Sequence, residues 1–394
     1  MTRDEKRAGA SLAAIFALRM LGLFLILPVF AVHAREIPGG DNLTLVGIAL
    51  GAYGLTQAML QIAFGVASDR FGRKPVIIVG LGIFAFGSFV AAFAPDIWWV
   101  IVGRILQGAG AISAAVTALA ADLTREQHRT KVMAMIGSSI GLVFALSLVL
   151  APVLYQAIGM GGLFGMTGLL ALVAILMVLY VVPAQPPAEH HDAAPVSFAQ
   201  VAFNPELLRL NFGIFTLHMA QMAMFVVVPL ALVQLGGLAL PDHWKVYLPA
   251  LLLSFVLMIP AIIVAEKKNK TKQVFNGAIV LILVTQIGFA LFGSGVWLLA
   301  FFLFIFFAGF NILEASLPSM ISRIAPPQSK GLALGIYNTV QALGLATGGL
   351  LGGVLAQRFG AEAVYAACGL LTLVWLGLGL SMAPLPSRAK PAAA

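Results

Sequence analysis

One cysteine, Cys368, is all the thiol chemistry the sequence holds, which excludes an intrachain disulfide and a cysteine-based metal site. Charge is scarce as well. Only 10% of the 394 residues are Asp, Glu, Lys or Arg, against roughly 25% in a soluble domain, so water is not the solvent for most of this chain. Acidic residues are the rarer sign, 15 against 23 basic ones, for a net charge of +8. The basic excess forms no stripe interleaved with aromatics, which argues against nucleic acid as a partner. No G-x-x-x-x-G-K-[ST] stretch occurs, so ATP is not the direct energy source. Clustered His, Asp and Glu are confined to "EHHD" (189–192), a polar tract between apolar runs. No metal or organic cofactor is expected, and a membrane-embedded enzyme finds no catalytic cluster to work with.

What the chain has in quantity is apolar length: 61% of its residues are hydrophobic. Runs of about twenty apolar residues span a bilayer as helices. Twelve such runs are predicted, near 11–33, 44–67, 75–94, 97–121, 130–155, 161–182, 208–232, 244–265, 273–293, 296–320, 329–356 and 361–382. The first begins like a signal peptide, but its apolar core exceeds the roughly 7–15 residues of a cleaved signal, so it reads as a retained helix. The fold class is all-α and integral to the membrane.

One connection stands apart. Residues 183–206, "PAQPPAEHHDAAPVSFAQVAFNPE", are rich in proline and charge. They divide a six-span half (1–182) from a second six-span half with a short tail (207–394). Eighteen Lys and Arg fall in the loops, linker and tails on the side of the N-terminus, and three, Arg35, Lys245 and Arg358, on the other side. The positive-inside rule then places both termini and the linker in the cytoplasm.

The halves echo each other. "FALRM" (16–20) reappears as "FTLHM" (215–219), so Arg19 and His218 lie 199 residues apart. Lys131 and Ala134 recur at the same spacing as Lys330 and Ala333, and Asp69 at the end of the second span answers Glu266 at the end of the eighth. A duplicated six-helix unit is an architecture of transporters, with the substrate site between the repeats. A channel is the other membrane class to weigh, but an asymmetric charge set suits alternating access better than a symmetric pore.

An ionisable side chain within a span is costly, and each is a functional candidate. There are four: Arg19, Arg104, His218 and Glu314. Arg19 and Arg104 can equally brace the bundle, and His218 can be a hydrogen-bonded core histidine. Glu314 is the one carboxylate well inside a span. It reads either as a proton carrier whose ionisation is set by Arg104 and Arg19, or as half of a permanent salt bridge with one of them. Tyr53, Gln57, Gln61, Gln221, Asn311, Tyr337, Asn338 and Gln341 are candidates for a central cavity lining. Gln57 and Gln61 share a helix face, as do Tyr337 and Gln341. The run Gly344, Gly348 and Gly352, with Gly349 and Gly353 beside it, reads as close helix packing.

"GVASDRFGRKP" (65–75) concentrates four charges between two apolar runs. It resembles the G-x-L-a-D-R-x-G-R-K loop of the major facilitator superfamily at Gly65, Ser68, Asp69, Arg70, Gly72, Arg73 and Lys74, with Ala67 in place of the leucine. "GRILQGAGAISAA" (103–115) resembles that superfamily's R-x-x-Q-G-x-G motif through Arg104, Gln107, Gly108 and Gly110. "GAYGLTQA" (51–58), "DLTREQHRTK" (122–131) and "HWKVYL" (243–248) resemble the YajR-type group of its drug:proton antiporters. Members of that group often end in a small soluble domain. The tail "PLPSRAKPAAA" is too short for one, so nothing that domain does carries over. The resemblance implies a monomeric, multi-pass transporter of the bacterial inner membrane, with a small-molecule substrate and the proton as coupling ion. Export of hydrophobic or cationic compounds is the group's default. It further implies that Asp69 helps lock the halves on the cytoplasmic side, with Arg73 and Asp122 in the same network. The fifth span departs from the antiporter pattern: Ser147 and Ala151 stand where glycines are expected, with Pro152 retained. Two arginines and a histidine against one glutamate raise an organic anion or sugar-like metabolite as the alternative substrate.

Overall fold

A chain this apolar must satisfy its backbone polar groups internally, and in lipid the helix does so within one segment. The computed structural model describes residues 1–183, 198–292, 295–326 and 329–383. Among them are fourteen α-helices and no strand. The tract 189–192 and most of the linker lie outside the described residues.

The first crossing is α1 (Arg3–Phe24) continued by α2 (Leu27–His33), broken at Leu25–Ile26 just ahead of Pro28. Crossings two and three are α3 (Leu43–Phe71) and α4 (Arg73–Ala92). Gly72 joins them at φ +92°, a conformation that disfavours any side chain. The fourth is split into α5 (Ile97–Ala109) and α6 (Ser113–Asp122) around Gly110. The fifth and sixth run together as α7 (Glu126–Tyr180), 55 residues. At 1.5 Å per residue that is about 80 Å, far beyond a bilayer core of about 30 Å. Gly159, at φ 65° and ψ −177°, breaks it in two. Among the described residues, eleven apolar helical segments therefore make twelve crossings, the long α7 counting twice.

The described end of the linker carries a five-residue helix, α8 (Phe198–Ala202). The second half follows as α9 (Pro205–Gln234), α10 (Trp244–Lys267), α11 (Thr271–Phe292), α12 (Val296–Ile324), α13 (Lys330–Phe359) and α14 (Ala361–Ser381). The echo between halves extends to tertiary bonds. Lys74 Nζ, at the start of the third crossing, donates to the Val182 carbonyl after the sixth (2.7 Å). Lys272 Nζ, at the start of the ninth, donates to the Leu380 and Met382 carbonyls at the end of the twelfth (2.9 and 2.5 Å).

The buried apolar residues fall into two clusters with a directional meaning. One contains buried residues of the whole second half together with Leu25–Ala34, Val46–Leu50, Ala91–Ile101 and Phe144–Phe164 of the first. Those first-half residues lie toward the face opposite the basic loops. The other cluster is made of the remaining, basic-loop end of the first half alone, from Leu12–Leu23, Val76–Ala85, Ile112–Ala120 and Ala171–Val182. The halves thus share one core on the outer face and separate on the basic face. The outer contact is tight because α3 and α13 meet through glycine. A Cβ on Gly47 would strike the Gly349 carbonyl, and one on Gly51 or Gly54 would come within 2.6 Å of the Ala346 or Ala342 carbonyl. Leu43 N–H also donates to the Gln357 side chain across the halves (2.7 Å). Gln234 accepts from Arg35 in the amide orientation that satisfies both.

Candidate functional site

The interior polar groups form two separate networks, one in each half. In the first half, Arg19 and Arg104 flank Tyr53, with their guanidinium carbons 5.6 and 4.9 Å from its ring centre. Arg19 Nη1 donates to Ser113 Oγ (3.1 Å) and Nη2 to Gln57 Oε1 (3.2 Å). Arg104 Nε donates to the Ala49 carbonyl (3.3 Å) and Nη1 to Gln107 Oε1 (2.8 Å), whose amide passes the bond on to Ser88 (2.8 Å). Both arginines are buried and neither forms an ion pair among the described residues. Cation–π attraction and neutral acceptors carry these two charges.

In the second half, Glu314 Oε2 lies 3.8 Å from His218 Nε2, with 34% of the Glu314 side chain exposed. His218 Nε2 also meets the Gln341 amide nitrogen at 2.7 Å, and its Nδ1 faces the Ile214 carbonyl at 3.3 Å. Tyr337 is buried one turn before Gln341 on the same face of α13, and its hydroxyl has no hydrogen-bond partner among the described residues. The expected partnership of Glu314 with Arg104 or Arg19 is not formed. Histidine, not arginine, stands beside the carboxylate, because α9 and α13 bring His218 and Gln341 to α12 within the second half.

The other candidates divide by what they touch. Gln57 is committed to Arg19, Gln341 to His218, and Asn311 donates to Ser254 Oγ (2.9 Å). Gln61 and Gln221 are buried, the Gln61 carbonyl oxygen having no partner, and Asn338 is half-buried. An aromatic plug completes the interior, a feature that no polar motif in the sequence signals. Phe144 of α7 sits against Phe24 (5.1 Å between centroids), Phe307 (6.2 Å) and Phe310 (5.6 Å), so rings from both halves meet near mid-membrane. Glu314 lies one turn beyond Phe310 toward the basic face, and His218 touches Phe310 edge-on. The carboxylate is therefore on the open side of the plug. The only sequence signal for it is phenylalanine at mid-span, which core packing also produces. An apolar groove of 540 Å³ lined by Phe86, Phe89, Phe93 and Trp99 opens on the outer surface of α4 and α5, away from these networks.

On the basic face, Arg73 is the centre of the loop motif. It pairs with Asp69, bonds Asp122 Oδ2 through Nε (3.1 Å) and donates from Nη1 to Ser68 Oγ (2.7 Å). The end of α3, the start of α4 and the end of α6 are tied by one guanidinium. Gly65 meets only the Ala114 Cβ at ordinary contact distance (3.5 Å). Arg70 is exposed over Phe71, and Lys74 is the helix-terminus donor already described. No group of three or more His, Cys, Asp and Glu residues capable of holding a metal occurs among the described residues.

Known proteins match this chain over nearly its full length. The sequence profile of the Major Facilitator Superfamily matches residues 12–310 and 243–394. The inner membrane transport protein YajR of Escherichia coli (strain K12) is 45% identical over 389 residues, 98% of this chain and 85% of that protein. The multidrug resistance protein MdtH of Aeromonas salmonicida (strain A449) is 24% identical over 388 residues, covering 96% of this chain and 94% of its own. In fold, a bacterial homologue of the human lysosomal transporter Spinster, solved inward-facing and occupied, superposes with a TM-score of 0.78. It has 11% identity and covers 96% of this chain and 97% of that one. A twelve-crossing bundle in two six-helix halves, with a profile match and a 45% identical transporter across almost all its length, makes this chain a member of the Major Facilitator Superfamily, a multi-pass membrane transporter and not an enzyme.

Proposed function

We propose that the protein is a proton-coupled secondary transporter that exports small hydrophobic or cationic molecules by alternating access. It works as a monomer in the bacterial inner membrane with both termini and the linker cytoplasmic. The observation that carries the reading is Glu314 on the open side of the aromatic plug, whose side chain is one-third exposed and whose Oε2 is buried 3.8 Å from His218 Nε2 with no hydrogen-bond partner among the described residues. Ionised, it needs a cation beside it to offset lost hydration. Protonated, it needs none. A proton and a cationic substrate therefore compete for one group, which is the elementary requirement of antiport. The names of two relatives, an inner membrane transport protein and a multidrug resistance protein, support the location and the direction. The eighteen-to-three charge bias supports the topology.

A second reading has its own observation. Arg19 and Arg104 bring two buried charges to the interior with no carboxylate partner among the described residues, which favours an organic anion. Flux into proteoliposomes under an imposed pH gradient, across cationic, neutral and anionic solutes, separates the two. With the preferred solute, Glu314→Gln lowers gradient-driven accumulation at least tenfold while solute binding or passive exchange persists. A Gln variant that still concentrates solute when only a pH difference is imposed overturns the assignment.

A further inference from the structure

His243 stands at the outer end of α10, just after a short 3-10 turn at Leu240–Asp242. It is fully buried, at 0% exposure, and among the described residues neither ring nitrogen has a well-formed hydrogen bond, the Leu238 carbonyl being the one backbone acceptor near the ring. Its ring meets Tyr247 edge-on (6.1 Å), a side chain also at 0% exposure whose hydroxyl is likewise unpartnered. Both the turn and α10 pack against α7 of the other half. Leu240, Val246 and Tyr247 belong to the same core as Phe144, Leu148 and Ala151. The imidazole is thus built into the seal that closes the outer face, and the seal offers its two nitrogens at most the Leu238 backbone carbonyl.

The ionisable groups around it are few. Asp242 lies near enough for its charge to favour the protonated ring, but it is half-exposed and paired with Lys245 (2.8 Å). In the outer part of α7 the one ionisable residue is Tyr155, whose hydroxyl is engaged by His33 (2.9 Å) and Glu36 (3.2 Å). The outer halves of α9, α11 and α12 have no ionisable residue at all. Arg35, on the facing loop, is held by Gln234. The second histidine of this face, His33, differs in kind. It is part-exposed with a carboxylate 3.3 Å away, so the closed state accommodates its charge.

We propose that His243 is a second proton-binding site, on the outer seal between the halves, and that protonation there opens the seal. An imidazolium in the closed seal is a buried charge with no carboxylate in contact and a backbone acceptor, the Leu238 carbonyl, for at most one of its two N–H groups. Parting the halves gives both nitrogens water. The open state therefore binds the proton and the closed state excludes it, and linkage fixes the sign: falling pH favours opening. With the ordinary imidazole value of about 6.5 in the open state, lowering the pH from 7.5 to 5.5 raises the open-to-closed ratio about tenfold. The outer solution then signals its own acidity to the gate. This rests on an alternating outer seal but not on Glu314, so the test is run without that carboxylate.

The protein in lipid nanodiscs carries Glu314→Gln and Cys368→Ser, with spin labels at Asp41→Cys in an exposed outer turn and Glu362→Cys in the exposed first turn of α14. Electron–electron double resonance reads the separation of the halves at pH 7.5 and 5.5. The expected result is an approximately tenfold rise in the open-to-closed ratio at the lower pH, with the rise absent after His243→Gln or His243→Phe. A background protein that does not respond to pH, or a response that survives both His243 substitutions, overturns the proposal. Loss of proton-driven flux by Glu314→Gln alone is a separate result and leaves it standing.

Discussion

Arg104 uses the planar fork of its guanidinium in a way that an ammonium cannot copy. It reaches the Ala49 carbonyl on α3, Gln107 on its own helix and the face of Tyr53 at once. Arg104→Lys keeps the charge and loses the simultaneous contacts. The expected outcome is at least a tenfold loss of transport in proteoliposomes, with about 1–3 kcal/mol less stability in detergent melting. A lysine variant that transports at the parent rate shows that charge alone is needed there. The four charges within spans were legible in the sequence because depth in a membrane is written as position along an apolar run. Their partners were not, because partner choice depends on how each helix is rotated about its axis. Glu314 meets His218 and not an arginine for that reason. Yet the echo between Arg19 and His218 carried information: each is held by a glutamine of its own half, Gln57 and Gln341.

On α13, glycines spaced by four form two faces with opposite duties. Gly344, Gly348 and Gly352 receive α9 of the same half, with the Phe215 and Met219 carbonyls and Ala223 where Cβ atoms would lie. Gly349 and Gly353 receive Gly47, Gly51 and Leu43 of α3 in the other half. A methyl group on the first face strains a contact inside one half, which rocking of the halves as rigid units would leave intact. On the second face it strains only the closed outer seal. Gly348→Ala should therefore lower thermal stability by about 1–3 kcal/mol, whereas Gly47→Ala should leave melting nearly unchanged and move the halves toward outer opening. Melting curves and label distances across the outer face distinguish the two, and equal melting losses for both would contradict the division. The spacing was visible in the sequence; the division of labour was not, since a helical repeat does not say which neighbour each stripe faces. The twelve spans were legible because the repeat of apolar length is strong, including the turn between the fifth and sixth that Gly159 makes within one long helix. The breaks in the first and fourth crossings left weaker signals, Pro28 and Gly110, in runs whose hydropathy does not change.

The whole molecule is in a state closed on the outer face and open on the basic one, and this determines what Asp69 can contribute. Its side chain is 64% exposed and its ion pair is with Arg73. Arg73 keeps Asp122 and Ser68 whether or not Asp69 is charged. In the present state Asp69→Asn thus removes an exposed pair worth about 0–1 kcal/mol. In the opposite state that alternating access requires, the ends of α3 and α13 would come together on the basic face, and the Asp69 carboxylate would meet the positive N-terminal end of α13 at Ser329 and Lys330. Asparagine loses that attraction. The substitution therefore selectively destabilises the state closed on the basic face and shifts the population toward the conformation described here. The expected measurements are normal membrane insertion, transport reduced several-fold, and label distances across the basic face displaced toward the open value. Asp122→Asn is the contrasting variant, because it breaks a bond already made in this state and should lower thermal stability where Asp69→Asn does not. If Asp69→Asn transports at the parent rate with unchanged distances, the loop 65–75 serves only to hold charge on one side of the membrane, and closure of the basic face must be driven by contacts outside it.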